Sequence, residues 1–201
     1  MVAVLVNGLP GAGKTTLARA LADELRLPLF SKDSVKESLA ETMGAVRPRD
    51  CAQGEWSRIL GRAASETLWT LLADARGRAV LESPWLAHLR PVVAEGLRRA
   101  EVTVVHEVWC DVPVEVARAR FAARAAGRHA VHAGSSGSSD EEWRFWERVA
   151  EPLGLGVVHR VDTTKPVDVP ALAVRIASTG GEPVVSPPSS ESGDRGAEEV
   201  G

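Results

Sequence analysis

At 201 residues, with 44% hydrophobic and 25% charged residues, the chain has the composition of one globular domain long enough to bury a core. Its net charge of −3 is uneven: from Thr179 onward five acids face Arg195 alone, a net −4, so residues 1–178 sum to about +1. A near-neutral body argues against a broad nucleic-acid footprint, and the two cysteines, Cys51 and Cys110, lack the spacing of a metal site.

Strands and helices alternate along the chain. Residues 3–7 are a continuous apolar run, as in a strand buried on both faces. Leu17, Leu21 and Leu25 recur every four residues and predict an amphipathic helix. Residues 28–31 read as a short second strand and 34–42 as a helix. Trp56, Ile59, Leu60, Ala63, Thr67 and Leu71 predict one face of a longer helix. Residues 78–81 form a third strand ending at Glu82. A helix over 88–99 leads to a fourth strand over 103–110. Pro113 suits a helix start, and that helix is expected to run to about residue 126. Residues 127–139, rich in Gly, Ser and His, are long for a connection and predict a mobile functional loop. Asp140 suits the cap of a helix through 149, residues 157–161 a fifth strand, and 167–178 a last helix.

This alternation predicts an α/β fold with a parallel sheet flanked by helices. One domain is expected over residues 1–178, with a lid at about 120–140. Residues 179–201 are poor in large apolar side chains and rich in Pro, Ser, Gly and acids, so a disordered acidic tail is expected. The apolar start is one strand long, without a basic leader, and no later run is long enough to cross a bilayer. The expected location is the cytoplasm, with reduced thiols and no membrane partner.

Gly8-Leu9-Pro10-Gly11-Ala12-Gly13-Lys14-Thr15 fits G-x-x-x-x-G-K-[ST], between a buried strand and an amphipathic helix. Glycines in such a loop let backbone N–H groups turn inward around phosphate oxygens, and the helix N-terminus adds partial positive charge. Lys14 is expected to reach the β- and γ-phosphates and Thr15 to ligate Mg2+, with Thr16 beside it. No Asn-Lys-x-Asp guanine signature and no D-x-x-G switch accompany the loop. ATP is therefore the expected nucleotide.

A phosphoryl-transfer enzyme also needs a group to orient or deprotonate the acceptor hydroxyl. Asp33 follows the second strand, where ligand-facing residues of a parallel sheet lie; capping the next helix is its bland alternative. Lys32 and Lys36 are candidates to hold a substrate anion. Glu82, ending the third strand, is a candidate to hold a Mg2+-bound water or the acceptor, with Ser83 and Trp85 on the same loop. Arg120, Arg124 and Arg128, spaced by four, share one face while their helix persists, and the stripe runs into the 127–139 loop. That suits a lid bringing arginines onto the transferring phosphoryl group, with His129 and His132 as weaker candidates. Among the six tryptophans, Trp56, Trp85, Trp143 and Trp146 are candidates to wall an apolar acceptor pocket, with core packing as the alternative.

GLPGAGKTTLARALADEL, SKDSVKESL and HEVWCDVPVEVARARFAAR together resemble the kinase domain of phage-type polynucleotide kinase and its relatives. These small P-loop kinases are often labelled "AAA-family ATPase" or zeta-toxin-like, and chloramphenicol phosphotransferase is a related member. The resemblance spans about residues 2–178. It implies a five-stranded parallel sheet of order 2-3-1-4-5 and a base at Asp33. It also implies acceptor contact at Lys36, donor-phosphate contact at Arg120 and Arg124, and an adenine-side segment around Thr163, Thr164 and Pro166. Where polynucleotide kinase has Ser-Asp-Thr-Asn after the third strand, this chain has Glu82-Ser-Pro-Trp85.

The expected function is an ATP- and Mg2+-dependent kinase for a small-molecule hydroxyl. A polynucleotide 5′-hydroxyl is the second candidate acceptor, and a nucleotide-binding regulatory module with slow ATPase activity is the reading of another class. A monomer or a homodimer is expected.

Overall fold

The computed structural model describes residues 2–132 and 139–179. Five parallel strands form one sheet of order β2-β3-β1-β4-β5. They are β1 (Val2–Asn7), β2 (Leu29–Ser31), β3 (Ala79–Glu82), β4 (Val104–Asp111) and β5 (Val157–Asp162). The expected order is thus observed. The helices are α1 (Lys14–Leu25), α2 (Lys32–Met43), α3 (Gln53–Asp74), α4 (Arg90–Arg99), α5 (Val114–Ala123), α6 (Asp140–Arg148) and α7 (Val169–Ser178).

The apolar run of β1 has side chains buried on both sides. Val4 and Val6 point into a core with Leu17 and Leu21 of α1, Val108 of β4 and Leu172 of α7. Ala3 and Leu5 point oppositely, into a core with Leu68 and Leu72 of α3 and Leu97 of α4. Two helical layers therefore sandwich the sheet. Parallel pairing aligns the strand ends: Ser31 pairs with Glu82, Val6 with Glu82, and Asn7 with Trp109. Every loop that follows a strand leaves along this one edge, which places the candidate site there.

Several expected boundaries shift. The buried face of α3 is Ser57, Leu60, Ala64, Leu68 and Leu72, not the Trp56–Ala63–Thr67 face; Ile59 is 36% exposed. Both faces carry apolar side chains, so periodicity alone did not separate them. Helix α5 stops at Ala123 rather than about 126, and a 3-10 turn over Ala125–Gly127 follows. Ser139, not Asp140, caps α6: its hydroxyl accepts from the Glu142 N–H at 3.2 Å. Residues 133–138 of the expected loop and 180–201 of the expected tail lie outside the described residues.

Candidate active site

The loop after β1 turns on three glycines with positive φ: Gly8 at 138°, Gly11 at 88° and Gly13 at 86°. Gly11 is also forced by contact, because a Cβ there would lie 2.1 Å from the Ala117 carbonyl oxygen of α5. The backbone of the cradle thereby approaches the lid helix directly. Gly13 caps α1 in the left-handed conformation with no side-chain hydrogen bond, so the first N–H groups of α1 remain open to an anion. Leu9 and Ala12 are buried beneath the loop and Thr16 is exposed.

Lys14 starts α1 and is buried; its Nζ donates to the Leu9 carbonyl across the loop at 2.9 Å. Burial pushes its ammonium below the ordinary lysine value, while the charge of Glu82 works the other way. A phosphate here would replace the missing hydration. Glu82 is held by the Ser31 hydroxyl, which donates at 2.6 Å, and its other oxygen lies 3.4 Å from Thr15 Oγ1. This hydroxyl and carboxylate are hard oxygen donors, and with phosphate oxygens they fit Mg2+ chemistry.

Asp33 is the second residue of α2, in its first turn. Ser31 occupies the cap position and α2 has no side-chain cap bond, so Asp33 is not the cap. No hydrogen bond or ion pair to a described residue holds its carboxylate. Its charge acts on Lys14, Lys32, Lys36, Arg128 and His132, which converge around it. Burial lowers the pKa of both Lys32 and Lys36, with Asp33 opposing the shift. Lys36 donates to the Ser57 hydroxyl at 2.8 Å, and Ser57 donates to the Val131 carbonyl at 2.9 Å. His132 Nε2 meets Glu37 at 2.9 Å. The described part of the expected mobile loop is therefore fastened to α2 and α3.

The three arginines do not share one face. Arg120 donates to the Thr163 carbonyl at 3.0 Å, and Thr163 in turn donates to the Ala12 carbonyl at 2.7 Å, so both sit against the cradle. Arg124 ends α5 and lines the cleft. Arg128 follows the 3-10 turn and places its guanidinium 4.2 Å from the centre of the Phe121 ring. The early end of α5 takes Arg128 out of helical register with Arg120. Thr164 turns back onto Asp162 through its N–H and hydroxyl, and Pro166 is exposed.

A cleft of about 1440 Å3 joins these parts, with Gly11, Lys14, Asp33, Lys36, Glu82 and Arg128 on its wall. Trp85 lines it, stacked on Trp69 at 5.9 Å. Trp56 does not: it borders a separate recess of about 460 Å3 beside Arg47 and Gln53. Trp143 packs edge-on to Trp146 and Phe121 in the core, while Trp146 also reaches the cleft. Trp69, Arg58 and Arg62 line the cleft from α3 and were missed because the helix face was misread. Also missed was Glu107, a buried acid within β4; its place in an apolar run was the available signal.

A family model described as an AAA domain matches residues 4–143, well over half of the chain. The chain belongs to this AAA domain family. The fold of this AAA domain is that of P-loop nucleotide-binding kinases. A provisionally assigned kinase from Chloroflexus aurantiacus superposes with a TM-score of 0.74 at 29% identity, covering 88% of this chain and 96% of the other. A sugar kinase from Janibacter superposes at 0.52 with 23% identity over 88% and 92%, a likeness of fold. Cytidylate kinase of Pyrobaculum neutrophilum is 50% identical over 44 residues, 22% of this chain and 24% of that protein. The alignment thus spans about a quarter of the curated relatives' length. Among the described residues, no helix is long and apolar enough to cross a membrane.

Proposed function

We propose that this AAA domain is a kinase that transfers the γ-phosphate of ATP to a hydroxyl of a small molecule in the cytoplasm. The observation that carries the reading is Asp33. A carboxylate without a structural partner among the described residues faces the same cleft as the cradle lysine, Lys14. It lies in the first turn of α2, beside the loop that follows β2.

In this reading the cradle N–H groups and Lys14 hold the donor phosphates, with Arg120 and Arg124 closing the lid side. Asp33 takes the acceptor's hydroxyl proton as its oxygen bonds to the γ-phosphorus. The bond from that phosphorus to the β,γ-bridging oxygen breaks, and ADP leaves with the electron pair. Thr15 and Glu82, directly or through water, are the residues that would hold Mg2+, which supplies charge neutralisation at the phosphates. Thr163, Thr164 and Pro166 flank the nucleotide base. The quoted motifs favour the branch of polynucleotide kinase, zeta toxin and chloramphenicol phosphotransferase.

The test is a screen of hydroxyl compounds, antibiotics and nucleosides included, for phosphorylated products by mass spectrometry. A product from the wild type that disappears with Lys14→Ala is expected. ATP hydrolysis unaffected by every compound would instead favour the regulatory module.

A further inference from the structure

Building on the kinase reading, we infer that the acceptor is a small anionic hydroxy compound whose carboxylate or phosphate ester is held by Arg58 and Arg62 of α3, with Lys36 beside them.

One face of α3 borders the cleft: Arg58, Gly61, Arg62, Ser65 and Trp69 recur at helical spacing. Gly61 of α3 lies beside the Lys36 stem of α2, with Lys36 Cε 3.9 Å from where a Cβ would stand. The arginine row and the Lys36 ammonium therefore share one wall.

Among the described residues, seven lysines and arginines line the cleft against four acids. Glu66 is paired with Arg99 at 2.8 Å. Glu82 accepts from Ser31 and its charge acts on Lys14. Arg58 reaches only its own helix, donating to the Gly54 carbonyl at 3.4 Å, and Arg62 has no ion pair among the described residues. Lys36 meets a neutral hydroxyl. Lys32 and Arg128 add two more cations; Asp33 acts on both and on Lys36, and Glu37 acts on Lys36 and Arg128. The donor phosphates belong to the cradle, Lys14 and Arg124, so they do not account for cations on α3. Arg58 and Arg62 are exposed to the cleft, where an anion would gain charge-assisted hydrogen bonds that a neutral acceptor would not.

Size follows from the lid. Ser57 bonded to Val131 and Glu37 bonded to His132 bridge α3 and α2 to the lid segment. With this segment fastened on two sides, the cleft of about 1440 Å3 suits a metabolite-sized anion.

The experiment offers ATP, Mg2+ and matched acceptors: glucose, gluconate and glucose 6-phosphate; glycerol, glycerate and glycerol 3-phosphate; and a 5′-hydroxyl oligonucleotide. Transfer to anionic members exceeding that to their neutral parents by about tenfold or more in kcat/KM is expected, the scale of one charge-assisted bond. The carboxylate and ester arms identify which anion is read. Arg58→Ala and Arg62→Ala should raise the acceptor KM about tenfold or more while leaving the KM for ATP unchanged, with Arg62→Lys recovering part of the loss. Preference for the neutral parents or the oligonucleotide, or an unmoved acceptor KM in both variants, overturns the inference and leaves the kinase reading standing. No transfer to any compound while ATP still binds overturns the kinase reading, and this inference with it.

Discussion

Asn7 Nδ2 donates to Glu107 Oε1 at 2.8 Å, and both side chains are fully buried, one ending β1 and the other within β4. Asn7 also accepts from the Gly8 N–H at 2.7 Å and donates to the Trp85 carbonyl, while Glu107 accepts from the N–H groups of Leu153 and Gly154 at 2.8 and 2.9 Å. One buried pair thus ties the first residue of the cradle to the loop after β3 and to the turn before β5. Three N–H donors satisfy the Glu107 carboxylate within the fold.

Glu107→Ala would leave the Asn7 amide and the Leu153 and Gly154 N–H groups without this acceptor. The expected loss is roughly 3–5 kcal/mol of folding stability, read by urea denaturation. Nucleotide affinity should fall as well, because the Gly8 end of the cradle loses its anchor. A variant as stable as the wild type would show that water replaces the carboxylate.

Gly11→Ala should weaken ATP binding sharply without unfolding the sheet. The added methyl meets the Ala117 carbonyl at 2.1 Å and demands a positive φ, so the cradle and α5 must part. Fluorescent ATP-analogue titration reads the effect, and an unchanged Kd contradicts it.

His106 and His159 meet at 3.1 Å between β4 and β5, and burial holds both below their ordinary value of 6.5. A base depressed on folding binds fewer protons folded than unfolded, so this contribution is complete above about pH 6.5 and is lost as pH falls toward the folded values. His132 shifts in the same direction, burial again being the largest cause. The melting temperature should fall from pH 7.5 to pH 5, and His159→Gln should flatten that slope. A wild-type profile level across this range would contradict the account.

Cys110 lies behind the cradle, and burial pushes its thiol up to about 12, whereas Cys51 is half-buried. Native protein should react quickly with a disulfide reagent at Cys51 alone. Denaturant should then release the second thiol. Equal native rates would place Cys110 nearer solvent than the structure does.

The sheet was legible because β1, β3 and β4 are apolar runs and the cradle fixes where α1 begins. The cradle itself was legible residue by residue, since its glycines answer local backbone demands. The acceptor side was harder to read. Helix α3 carries apolar residues on more than one face, so the orientation of Trp56, Arg58, Arg62 and Trp69 depended on packing that periodicity does not report. The arginine stripe failed for a different reason: α5 ends at Ala123, so Arg128 follows a 3-10 turn onto Phe121, while Arg120, inside α5, reaches Thr163. The place of Glu107 in an apolar run marked it as unusual, but its role could not be read because its three donors come from residues 46, 47 and 100 positions away in the chain.

The central claim is that Asp33 handles the acceptor's proton, and Asp33→Asn tests it most directly. Acceptor-dependent ADP release should be measured for both proteins with an acceptor found in the product screen, alongside the Kd for ATP. The account predicts an unchanged Kd and a kcat lowered by roughly 10²-fold or more, the scale of a lost general base. A variant that transfers phosphate at the wild-type rate would contradict it.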